Sequence, residues 1–213
     1  MESHRRPIRE LAEALRPFVG ARGARLFHVT TDAHLYASVL ELVMGFEHHA
    51  DNRGPFFLLD APYRADGGCW DDRAAAVRAA HAKRREAMAA HGYALDALEP
   101  VAGASARARF GATVSAALAG ARSALRGATL VLAPGLVEDA RAFDADLTDL
   151  ARALPDVRFV VVEREACSIG AALARELQAG HGRALVDETE ACRELEAKLD
   201  AASAAPPDAP SAA

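Results

Sequence analysis

Cysteine is scarce in this chain of 213 residues: there are three, Cys69, Cys167 and Cys192, widely separated and without a C-x-x-C pair. An odd, scattered set supports neither a disulfide framework nor a zinc module, and reduced thiols point to a cytoplasmic protein. Aromatic residues are also few, 6% with one tryptophan, Trp70. No stretch reaches the roughly 18 consecutive apolar residues of a membrane span. The opening Met-Glu-Ser-His-Arg-Arg-Pro leads into an amphipathic stretch broken by charge, with no apolar signal core. Charge of one sign is missing as well. The net charge is -5 and arginine supplies nearly all the positive side, so no strong field favours nucleic acid or an anionic membrane as partner.

What the chain has in quantity is alanine. Of its residues 51% are hydrophobic, but alanine buries little area per residue, so abundant helices are expected. The alanine- and arginine-rich composition is of the kind a high-GC bacterial genome encodes. The length suits one domain, taken as residues 1–200, followed by an Ala/Pro-rich stretch, 201–213, that lacks anything large to bury and is expected to be disordered.

Along the chain, a short helix around Ile8–Leu15 precedes a buried strand, Arg25-Leu-Phe-His-Val-Thr-Thr31, which ends in polar residues able to cap a helix. Leu35, Val39, Leu42, Val43 and Phe46 recur at helical spacing. Gly54-Pro55 then breaks the chain before a second strand, Phe56–Leu59. An irregular loop, Ala61–Trp70, opens a helical segment, residues 71–125, inserted before the third strand, Ala128–Ala133. A helix over Glu138–Leu154, a strand over Val157–Val162, a helix over Ser168–Leu177, a strand over Arg183–Val186 and a helix over Glu188–Ala201 complete the reading. Strands that are mostly continuous apolar runs, alternating with helices, indicate a parallel sheet covered on both faces. The expected fold is therefore α/β, a three-layer sandwich on a mainly parallel five-stranded sheet, a layout that Rossmann-like and P-loop NTPase-like folds share.

The turn after the first strand, Thr31-Asp-Ala-His-Leu-Tyr36-Ala37-Ser38, stands where a nucleotide-binding protein of this layout carries its phosphate loop, G-x-x-x-x-G-K-[ST]. The order of elements over residues 20–190 resembles the core of P-loop NTPases of the AAA and STAND kind. In that resemblance Arg25–Thr30 stands for the strand before the phosphate loop, Thr129–Ala133 for the Walker B strand and Val157–Glu163 for the sensor strand. The resemblance places Thr31 and Tyr36 at the glycine positions and Ala37 at the lysine; only Ser38 matches. The Walker B strand ends in Ala133-Pro134, not in a carboxylate, and Glu138 and Asp139 come only later. It thus implies a degenerate module that binds no cofactor, does not hydrolyse nucleotide and keeps the fold for contacts with another protein, a homo-oligomer being one possible form.

The residues themselves suggest a rival. Ligands in open α/β sheets bind beyond the carboxyl ends of the strands, an edge that would carry Thr30, Thr31, Asp32, Asp60, Pro134, Glu163, Arg164, Glu165, Asp187 and Glu188. Asp32, Asp60, Glu163 and Asp187 could act as the catalytic carboxylates of a magnesium- or manganese-dependent phosphoryl-transfer enzyme or nuclease. Such acids at strand ends are equally ordinary caps and turn formers.

Smaller constellations are each balanced by a plain structural role. His48, His49 and Asp51, with Glu47 beside them, have metal-ligand chemistry, but adjacent helical residues point apart. Asp32, His34 and Ser38 invite a hydrolase triad, yet Ser38 falls inside a helix and not on a sharp turn. Cys167 starts a helix, a position that can lower a thiol pKa, but Glu163 and Glu165 just before it would raise it, and a small semi-buried residue is the plain reading. Trp70, with Asp71 and Asp72, is a candidate interaction surface on a Gly-Gly loop, or else a cover for the sheet. Arg73, Arg78, Lys83, Arg84 and Arg85 form a basic stripe or a solvated face.

Overall fold

Each apolar run becomes a strand: β1 (Leu26–Thr31), β2 (Phe56–Leu59), β3 (Ala128–Leu132), β4 (Val157–Arg164) and β5 (His181–Val186). The structure is a computed structural model that describes residues 5–21, 23–52, 54–64, 69–92, 94–121, 127–164, 171–177 and 181–186. The five strands form one sheet in the order β2-β3-β4-β1-β5, and every pairing is parallel. Six helices accompany them among the described residues: α1 (Arg5–Gly20), α2 (Tyr36–Gly45), α3 (Cys69–Ala89), α4 (Ala106–Ala121), α5 (Ala140–Ala153) and α6 (Ala171–Glu176). None is long and apolar enough to cross a membrane.

Alternation along the strands sorts the core into two halves. Phe27, Val29, Val131, Val160 and Val162 face Leu11, Leu15 and Phe18 of α1 and Val39 and Val43 of α2. Leu26, Leu130, Leu132, Phe159 and Val161 face Trp70 and Val77 of α3, Phe110 of α4, Phe143 and Leu147 of α5 and Leu173 of α6. Three layers result. The connection from β1 to β2 crosses the first face, whereas those from β2 to β3, β3 to β4 and β4 to β5 run the opposite way along the sheet over the second. All crossovers therefore share one hand.

Boundaries differ from the expectation where packing outweighs local signals. The first helix extends to Gly20 across Pro17, whose interior placement costs roughly 3 kcal/mol; burial of Leu15, Phe18 and Val19 offsets it at roughly 1.5–3 kcal/mol per side chain. Helix α5 begins at Ala140 because the Asp139 carboxylate accepts from the Arg141 and Ala142 N–H groups at 3.0 and 2.9 Å, a side-chain cap. Strand β4 runs on to Arg164 alongside Thr31. The helix expected over Glu188–Ala201 and the stretch 201–213 lie outside the described residues.

Several arginines close the open ends of these elements. Arg25 donates to the carbonyls of Ala151 and Leu154 at the end of α5, at 2.8 and 2.9 Å. Arg158 reaches Val19 O at the end of α1 at 2.9 Å, and Arg84 donates to both Glu47 and Phe56 O. Helix-terminal carbonyls have no partner within their own helix, and a guanidinium supplies several donors in a fixed fork.

Candidate functional site at the carboxyl edge

Strand β1 hands the chain to α2 on one face, and its neighbour β4 hands it to α6 on the other. The chain thus leaves adjacent strands in opposite directions, the switch point where an α/β sheet opens a crevice. In register there stand Thr30 beside Glu163 and Thr31 beside Arg164.

On the α2 side, Tyr36 fills this position. Its hydroxyl donates to Ala133 O at 2.6 Å. Ala133 follows β3, two strand positions from β1, so the side chain lies across the end of β4, a reach of about 10 Å. The Arg164 guanidinium sits 5.4 Å from the Tyr36 ring centroid and donates to Gly135 O at 2.5 Å. Burial pushes the Tyr36 pKa upward; Arg164 opposes that shift and Asp60 adds to it, so the phenol remains a hydrogen-bond donor at neutral pH.

On the α6 side the polar residues pair with each other. Glu163 is 2% exposed, with His28 Nε2 2.7 Å from its Oε1 and the Thr30 hydroxyl donating to the same oxygen at 3.4 Å. A carboxylate so buried needs such partners, since an unpaired one costs several kcal/mol.

The four carboxylates of the metal scheme fare unequally. Glu163 is engaged with His28 inside the core. Asp32, half-buried, uses its backbone N–H on Val186 O and its carbonyl on Leu35 N. Asp60 is exposed at the end of β2, three strand positions and about 14 Å from β1. Asp187 lies outside the described residues, as do Glu165, Cys167 and Glu188. Among the described residues no group of three or more His, Cys, Asp or Glu side chains could hold a metal ion. Asp139 is occupied in capping α5, while His34 and Ser38 are both exposed. His49 stacks on Phe46 at 5.3 Å, and its Nδ1 accepts from the Asp51 N–H at 3.3 Å.

Trp70 is not a surface residue, and the interaction-surface expectation gives way to its alternative. It is 1% exposed; its indole N–H donates to Asp146 Oδ2 at 2.8 Å, and its ring packs 5.2 Å from Phe110 and 6.2 Å from Phe143. With aromatics so few, burying the largest of them outweighs displaying it. Asp71 pairs with Arg109 at 2.6 Å and Asp72 is exposed. Asp146 is a junction, also accepting the Tyr63 hydroxyl at 3.0 Å and Arg107 at 2.7 Å. Burial, then Asp146, drives the Tyr63 pKa far upward.

The basic stripe does not form as one face either. Arg73 is 0% exposed, donates to the carbonyls of Ala61 and Cys69, and lies 4.9 Å from the Trp70 ring centroid. Its Nε has no hydrogen-bond partner, and burial lowers its pKa. Arg84, as above, ties α3 to Glu47 and β2.

Sequence reasoning missed His28 and the bridging role of Tyr36. A histidine inside an apolar strand, with a glutamate ending another strand, was the available signal for the first. Compared with protein-family models and with curated proteins, the chain matches none.

Proposed function

We propose that this chain is a regulatory or scaffold module on an NTPase-like core, one that neither holds nor hydrolyses nucleotide and acts through contacts with another protein. The observation that carries the reading is Tyr36. At the second glycine position of the phosphate-loop resemblance, where backbone must approach phosphate, stands a phenol hydrogen-bonded to the end of β3 and covered by Arg164. Two further features support it. Ala37 offers no cation for a terminal phosphate, and the end of β3, Leu132-Ala133-Pro134, offers no carboxylate for magnesium. The strand order differs from both the 3-2-1-4-5-6 and the 2-1-3-4-5 orders of doubly wound folds, which favours the NTPase-like reading over the Rossmann-like one.

Calorimetric titration with ATP and GTP, with and without magnesium or manganese, tests the reading. No heat of binding is expected, and a partner should be recovered by pull-down. Micromolar nucleotide binding would overturn it. Metal binding that disappears in an Asp32→Ala, Asp60→Ala variant would favour the phosphoryl-transfer enzyme instead.

A further inference from the structure

The loop that follows β3 is held from two sides. On one, the Tyr63 N–H donates to Leu136 O at 2.8 Å and Tyr63 O accepts from the Glu138 N–H at 3.1 Å, with the Tyr63 side chain sunk in the core. On the other, Ala133 O and Gly135 O receive the side chains of Tyr36 and Arg164. The first grip is backbone pairing anchored by a buried ring. The second consists of two side chains reaching from the start of α2 and the end of β4, and Arg164 is exposed.

We propose that Tyr36 and Arg164 form a latch that keeps the crevice between β1 and β4 shut in the free chain, coupling the turn before α2 to the loop after β3. The proposal deepens the functional reading above and rests on it. The contacts suit a latch: one hydrogen bond to a carbonyl, one cation over a ring and one exposed guanidinium–carbonyl bond are individually modest. They can release without breaking a strand pairing, in the manner of local opening beneath global unfolding. They are also linked, because Arg164 covers the ring that bonds Ala133 while holding Gly135, two residues further on.

Hydrogen exchange measured by mass spectrometry on the full chain tests this, using wild type, Tyr36→Phe, Arg164→Met and the double variant. Tyr36→Phe removes only the hydroxyl and keeps the ring. Exchange should rise roughly two- to tenfold, the span produced by losing one hydrogen bond of ordinary net worth. The rise should appear together in residues 31–38 and 133–138 in each single variant, with the double variant little beyond either. Strand amides such as those of Val131 and Val160 should not change. Unchanged exchange, a rise confined to one segment, or a rise shared by the strands overturns the latch. Nucleotide binding by the wild-type chain would instead sink the functional reading and leave the exchange result standing, so the two failures are distinguishable.

Discussion

Among single residues, His81 makes the sharpest claim about pH. It is buried on α3, and burial, then Arg85 and Arg84, hold its pKa below the ordinary value. On acidification the unfolded chain therefore takes up this proton before the folded one does. Stability from His81 is fully present above the unfolded pKa of about 6.5 and is lost as pH falls through it towards the lower folded value. Urea midpoints measured between pH 7.5 and 5.5 should decline. In a His81→Gln variant that slope should be shallower, and an equal slope would remove His81 as its source. Nothing in the spacing of α3 singles out this histidine, since its burial depends on what packs against the helix.

For the elements, the Asp146 junction is the feature to break. It joins the loop after β2, the start of α3, α4 and α5 through Tyr63, Trp70, Arg107 and its own position. Asp146→Ala strands two largely enclosed donors, and each unsatisfied donor costs about 1–3 kcal/mol. Chemical denaturation followed by circular dichroism should show a loss of about 2–6 kcal/mol for the two donors together. Asp149→Ala, which removes exposed ion pairs with Arg107 and Arg152, should change stability by less than about 1 kcal/mol. The elements themselves were largely legible. Phe56–Leu59 lies where its apolar run lies, and Leu26–Thr31 begins one residue late, because runs bounded by glycine and polar residues are local signals. Trp70 was not legible in the same way: its destination is set by Asp146, 76 positions away. Tyr36 depends likewise on Ala133, 97 positions away. Arg73, Arg78, Lys83, Arg84 and Arg85 read as a stripe or solvated face, yet Arg73 and Arg84 answer carbonyls that only the folded chain brings to them.

For the whole molecule, the functional reading makes a constructive prediction. Thr31→Gly, Tyr36→Gly and Ala37→Lys together would convert the turn to G-D-A-H-L-G-K-S, a complete phosphate loop at the start of α2. The triple variant should bind ATP with Kd at or below roughly 1 mM, about 4 kcal/mol of binding. It should still fail to hydrolyse it, since β3 continues to end without an acid. Calorimetry together with a phosphate-release assay checks both halves. Hydrolysis by the variant would show that another carboxylate at the edge can do the work assigned to a Walker B acid.

The burial of Trp70 gives the chain an optical reporter of its own. As the only indole, held by Asp146 and overlain by Arg73, it senses whether the α3–α4 insertion is seated on its face of the sheet. It is blind to α1 and α2 on the opposite face. A shift in its emission when a partner is added would therefore locate the response to one side of the sheet, without any label.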